Sequence, residues 1–248
     1  FCALSTLSSI LVFWALAKLL LKDKHLVGEF VQACYRSSAA ILGTAFIQNI
    51  YGTSGMSGLM ILGSVPLYNI FAVLILTLES PSADAHAAMG DKIKASIRGI
   101  FTNPILIGIA LGFVYSLLRL PLPTMANKTL SSLASLTSPL ALLAIGAGFK
   151  GKAALGYLRP TAAATVIKLL VLPAIFLPLA FRMGFTNEKL VGLLVMLGSV
   201  TTPAGYVMAK QMGHEGVLTG SVCVTTTFFS ALTLTFWVLL AHSLGYIV

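Results

Sequence analysis

The chain has 248 residues, 57% of them hydrophobic and 9% charged, with a mean hydropathy of +0.95. Soluble domains carry roughly 25% charged residues, so this composition excludes a water-soluble globule. The net charge of +9 comes from basic residues standing singly or in small groups between apolar runs rather than along one face, which excludes a nucleic-acid surface and leaves membrane lipid as the surrounding partner.

A bilayer core about 30 Å thick is crossed by about 20 helical residues rising about 1.5 Å each. In chain order the apolar runs predict spans near 1–21, 30–51, 55–78, 99–118, 129–149, 160–181, 188–210 and 216–242, an all-α polytopic membrane protein with eight transmembrane helices. The first span opens at Phe1, already apolar, without the charged segment or small-residue cleavage site of a signal peptide. The expectation is therefore that a front portion precedes it. Lys18, Lys22 and Lys24 close this span.

The second span contains Arg36-Ser37-Ser38-Ala39-Ala40 and then Gly43-Thr44, small and polar residues near the bilayer middle. Gln48 and Asn49, toward its outer end, could line an exit path or bond another helix. After the third span comes the longest connector, 79–98, polar and rich in small residues, read as a cytoplasmic linker. It leaves three spans before it (1–78) and five after it (99–248). If the halves are inverted repeats of equal size, the front half lacks two helices and the full architecture is five plus five. The visible spans are then helices three to ten.

Asn103-Pro104 lies near the start of the fourth span, where Asn103 is expected to cap the helix. Lys168 lies in the sixth span, nine residues and so ~13 Å of helix rise beyond Arg159. The seventh carries Gly198-Ser199-Val200-Thr201-Thr202-Pro203-Ala204-Gly205. Proline removes an N–H and clashes with the preceding turn, so this span is expected to unwind near Pro203. Irregular backbone at that depth must be buried in protein or line a wet cavity, and interruptions at matching places in two halves point to a substrate site. The alternative is a small-residue packing face. In the eighth span, Thr225, Thr226 and Thr227 are expected to bond their own helix.

The loops holding Lys18, Lys22, Lys24, Lys92, Lys94, Arg98, Lys150, Lys152, Arg159 and Lys210 are far more basic than the alternate loops, which hold Arg119, Lys128, Arg182 and Lys189. The positive-inside rule makes the first set cytoplasmic and puts the C-terminus outside.

No aspartate or glutamate falls near the middle of a span, so a carboxylate proton relay is not supported. Arg36 and Lys168 are the basic residues well inside spans; each costs about 2.5 to 3.5 kcal/mol at a helix centre on insertion scales, so each should face protein, water or a bound anion, or else snorkel to the headgroups. With the N–H groups at helix starts they favour an anionic substrate. Cys2, Cys34 and Cys223 read as packing residues, and His25, His86 and His214 give no metal-ligand spacing. No phosphate-binding loop suggests an ATP-driven pump.

Asn103-Pro104, Ser138-Pro139 with Gly146, Lys168-Leu169-Leu170 with Pro173, and Thr202-Pro203-Ala204 followed by Tyr206-Val207-Met208-Ala209-Lys210-Gln211 resemble, in order and spacing, the pattern of the auxin efflux carrier family, in particular its bacterial members. The resemblance covers essentially the whole chain. It implies ten helices in two inverted repeats, a fold similar to sodium–proton antiporters and bile-acid symporters, with the fourth and ninth helices broken and crossing near the membrane centre. Those are the second and seventh spans here. It also implies a secondary transporter of a small organic anion such as malate, malonate or an indole acid, in the cell membrane. Where the family often has proline followed by asparagine in the first crossover, this chain has Ser37-Ser38, so auxin itself is not carried over.

The expected substrate-binding residues are Arg36, Ser37, Ser38, Lys168, Thr201, Thr202, Pro203, Ala204 and Gly205, with no cofactor or metal, sodium or proton coupling open, and a homodimer possible. Three other readings compete. One is a sodium-coupled symporter of the bile-acid type, and another a receptor that binds without transporting. The third is an intramembrane serine protease, because Gly52-Thr53-Ser54-Gly55 looks like Gly-x-Ser-Gly and His242 could supply a base. Small residues are needed in that short turn anyway, and the expectation is that the protein is not an enzyme.

Overall fold

The computed structural model describes residues 1–52, 55–80, 89–118, 121–149 and 151–247, and within these every regular element is helical. α1 (Cys2–Leu20) is apolar on all sides, burying Ile10, Phe13 and Ala17 and presenting Leu4, Leu11 and Leu19 outward. Such a helix suits lipid on one flank and protein on the other. A short turn at Lys24–Leu26 leads into α2 (Val27–Tyr35), whose residues are all buried. Helical geometry is then lost over residues 36–38 and resumes as a π-helical stretch, Ala39–Gly43, continuing into α3 (Thr44–Tyr51).

α4 (Gly55–Leu78) packs on α1, α2 and α5 (Met89–Thr102). α6 (Pro104–Leu118) and α7 (Thr124–Gly148) lie mostly exposed, with Leu111, Leu117, Leu133 and Leu143 outward. α8 (Gly151–Gly156) leads to a continuous helical run, Leu158–Arg182, made of α9 (Leu158–Val166), a π-helical Ile167–Val171 and α10 (Leu172–Arg182). α11 (Asn187–Gly198) is buried from Leu190 onward, residues 199–203 are not helical apart from a turn, and α12 (Ala204–Gln211) and α13 (Val217–Ser243) complete the chain. The central core joins Val27 and Val31 of α2 to Leu190 and Leu194 of α11 and Leu218 and Val222 of α13.

Among the described residues, five helices are long and apolar enough to cross a membrane: α1, α4, α7, the Leu158–Arg182 run and α13. They stand where the first, third, fifth, sixth and eighth spans are expected. The other three expected spans are divided. At 99–118 the division falls at Asn103, whose Oδ1 accepts from the N–H groups of Ile105 (2.9 Å) and Leu106 (3.3 Å), so the expected cap starts a separate helix. The connector expected over 79–98 is helical from Met89. Ile97 and Ile100 stand at helical spacing, a signal that composition alone obscures, though Ile97 is exposed. Ile100 of α5 packs against the cluster of Ala72, Val73, Leu76, Met208 and Ala209.

Two local devices set the geometry around Lys168. Pro173 has no N–H to offer the carbonyl of Leu169 four residues back, and the indole Nε1 of Trp237 on α13 donates to that oxygen instead at 3.0 Å. Gly198, the last residue of α11, lies so close to Pro173 that a Cβ there would stand 2.7 Å from the ring Cγ. Only glycine lets α11 end against this helix.

Candidate functional site at the meeting of two helix interruptions

The non-helical residues 36–38 and 199–202 touch at the centre of the bundle. Ser38 N–H donates to Val200 O at 2.9 Å, and Thr201 Oγ1 donates to Ala33 O at 2.9 Å. Each interruption frees backbone groups that the helix would have paired, and those groups find partners on other elements. Thr201 N–H donates to Thr226 Oγ1 (3.2 Å), Cys223 Sγ to Thr201 O (3.3 Å) and Gln32 Nε2 to Gly205 O (3.1 Å).

Lys168 is 0% exposed and its ammonium faces carbonyls alone: Leu197 O at 2.8 Å, and Met196 O and Tyr35 O at 3.4 Å. These are last-turn carbonyls of α11 and α2, which lack intrahelical partners and carry the negative end of each helix dipole. The Lys168 charge is thus matched by two helix C-termini.

Arg36 is placed differently. It is 2% exposed, and its Nη2 donates to Asn69 Oδ1 on α4 and its Nη1 to Met208 Sδ on α12, each at 3.0 Å. Its Nε has no partner, and no carboxylate pairs with it among the described residues. Gln32 Oε1, a buried acceptor also without a partner, faces Gly205, as does the Arg36 Cδ. The Ser199 hydroxyl is a third buried polar atom with no partner. A buried cation left with a thioether and one amide as acceptors is under-satisfied.

The other expected residues fall in three groups. Ser37 and Thr201 are buried; Ser37 Oγ lies 3.5 Å from the hydroxyl of Tyr68. Ser38, Thr202, Pro203 and Ala204 are half-buried and Gly205 is buried, all at the interruptions. Gln48 and Asn49 are exposed on α3, apart from them. Ser54 lies outside the described residues, and His242 is exposed near the end of α13. Thr225, Thr226 and Thr227 each donate to a carbonyl of α13 four residues back, the expected bonding.

Several participants were not singled out from the sequence. Asn69 and Met208 sit on helices remote in sequence, and no spacing rule connects them to Arg36; Gln32 stands four residues before it, one helical turn away. Glu29, expected at a span end, is buried: its Oε1 accepts from Gly216 N–H (2.8 Å), and its Oε2 from Thr219 N–H (3.0 Å) and Thr219 Oγ1 (3.1 Å). It holds the start of α13 as a carboxylate suits a helix N-terminus. The available signal was Gly216, the glycine that opens that helix at φ 71° and leaves its first N–H groups seeking an acceptor.

Among curated proteins the chain finds no match. The family model described as "Membrane transport protein" matches residues 1–238, nearly the whole length, and it is the family of the auxin efflux carriers that the Asn103-Pro104 to Gln211 pattern resembles. The all-helical bundle, its five helices of spanning length and this match agree, and the chain belongs to the membrane transport protein family.

Proposed function

We propose that this protein is a secondary carrier of a small organic anion, a carboxylate such as malate, malonate or an indole acid. The two interruptions are read as the broken crossover helices of a ten-helix, five-plus-five transporter, with the interrupted segments 27–51 and 187–211 and the helix 104–118 completing the eight spans. The protein lies in the cell membrane with its C-terminus outside. Arg36, Ser37, Ser38, Thr201, Thr202, Pro203, Ala204 and Gly205 form the binding region; Lys168, expected among them, is left out because its ammonium is taken up by the carbonyls of Tyr35, Met196 and Leu197. The bundle holding the region moves against α6 and α7 to open it to each side in turn.

The observation that carries this reading is the Arg36 guanidinium, buried beside the meeting of two helix interruptions with Nε unpartnered and no carboxylate among the described residues to balance it. A bound carboxylate would supply the missing acceptors and the missing charge. Membership of a transport family sets the kind of process. An open apolar cavity of about 560 Å³ between α4 and α6, lined by Val65, Pro66, Ile70 and Leu106, lies along the helix that carries Asn69 and is a candidate approach.

The test is charge movement and labelled-substrate flux in proteoliposomes supplied with malate, malonate and indole acetate. A charge-assisted hydrogen bond contributes about 1.5 to 3 kcal/mol, so Arg36→Gln should weaken half-saturation by about 10- to 100-fold. Arg36→Lys keeps the charge and should fall between. Unchanged flux in a folded Arg36→Gln protein would remove Arg36 from the site, and no flux with any of these acids in the wild type would remove the class.

A further inference from the structure

We propose that Lys168 is a tethered cation occupying what would otherwise be an alkali-ion site between the C-termini of α2 and α11, so that the wild-type crossover binds no sodium. The inference rests on the carrier reading only for its consequence for coupling. The site itself stands on geometry.

In carriers built on interrupted helices, half-helix C-termini and unwound carbonyls are the groups that hold coupling cations, just as rings of carbonyls replace the hydration shell of an ion in a selectivity filter. Here the carbonyls of Tyr35, Met196 and Leu197 converge on one point from two helices, and the point is filled by Lys168 Nζ at 2.8 to 3.4 Å. An ammonium carries the charge of an alkali ion, and its three N–H groups match three oxygens. The donor set is neutral, with no carboxylate paired to Lys168 among the described residues, so it suits a monovalent rather than a divalent cation. The side chain reaches this point from the π-helical Ile167–Val171, held in place by the Trp237 bond to Leu169 O and the Gly198–Pro173 contact. Widened turns of this kind are frequent at functional sites.

Lys168 is therefore a positioning residue, which joins the ends of α2 and α11 without an ion that must arrive and leave. Transport should then not depend on sodium.

The experiment is binding of radiolabelled sodium to the purified full chain in detergent, with choline as the inert cation, together with thermal unfolding in sodium, potassium, ammonium and choline. Wild type should show no saturable sodium binding and one Tm in all four salts. Lys168→Ala should have a Tm lower by at least about 4 °C in choline, should bind sodium saturably, and should regain most of the loss in sodium, potassium or ammonium. Lys168→Met, which fills the volume without charge, should be destabilised and not rescued by any cation. A merely structural lysine would not produce that contrast.

Saturable sodium binding to wild type would overturn the proposal, whether or not either variant folds. A folded Lys168→Ala protein indifferent to cation identity would overturn it too. If the variants respond as expected but no anion moves in proteoliposomes, the anion-carrier reading falls and the Lys168 assignment remains.

Discussion

Glu29, Arg36 and Lys168 are buried charges, and each has a different kind of counterpart. Glu29 is answered by N–H groups at the start of α13, Lys168 by carbonyls at the ends of α2 and α11, and Arg36 by a thioether and an amide that leave its charge unbalanced. Glu29→Gln keeps the shape but puts an amide NH2 against one of the two N–H donors, Gly216 or Thr219, so one side of the cap becomes donor against donor. Hydrogen bonds to a charged group are worth about 1.5 to 3 kcal/mol each, and 1 kcal/mol shifts Tm by about 2 to 4 °C at this size. A fall in Tm of about 5 °C is expected by tryptophan fluorescence, and an unchanged Tm would mean that Glu29 does not hold α13. That Arg36 and Lys168 fall within apolar runs was readable from the sequence, and both are buried in the bundle. Which of them is balanced was not, because Tyr35, Met196 and Leu197 act through backbone carbonyls, which every residue has, and Asn69 comes from a third helix.

The two interruptions differ in how far local sequence accounts for them. Gly198 and Pro203 bracket the second: proline disfavours helix in the residue before it and suits a helix start, and Ser199 is extended at ψ 175°. The first has neither residue between Tyr35 and Ala39. Arg36 is extended at ψ 139° because Lys168 takes Tyr35 O, Thr201 takes Ala33 O, and Ser38 N–H turns to Val200 O. The bundle imposes that interruption, so its small and polar residues alone could not separate it from a packing face. The sixth span shows the same dependence, since the consequence of Pro173 is settled by Trp237, 64 residues away in the chain. Trp237→Phe keeps the ring against the core and removes the donor to Leu169 O. Leaving a buried carbonyl unpaired costs about 1 to 3 kcal/mol. The expected result is a Tm lower by several degrees, with amide protons around the π-helical Ile167–Val171 exchanging faster. Equal exchange in variant and wild type would show that the π-helical stretch does not need the indole.

At the scale of the molecule, composition was enough to recognise a membrane bundle, and the five helices of spanning length lie where apolar runs were expected. How the runs cross was not legible, because contacts such as Ser38 with Val200 join backbone groups far apart in sequence, and any other carbonyl or a wet cavity could equally have satisfied them. The orientation of the bundle follows from charge. The Leu158–Arg182 run is about 37 Å long at 1.5 Å per residue, so Lys152 before it and Arg182 and Lys189 after it lie at opposite faces. All three are exposed, and in the sequence ten basic residues fall in the expected connectors on the Lys152 side against four in the alternate ones. The expectation from the positive-inside rule is Lys152 in the cytoplasm and Lys189 outside. Native thiols give little background, because Cys34 and Cys223 are buried and Cys2 is half-buried. In intact cells a membrane-impermeant maleimide should label Lys189→Cys and spare Lys152→Cys; inside-out vesicles should reverse the pattern. The opposite pattern would invert the bundle and put the C-terminus inside, and labelling of both positions from one side would mean that the Leu158–Arg182 run does not cross the membrane.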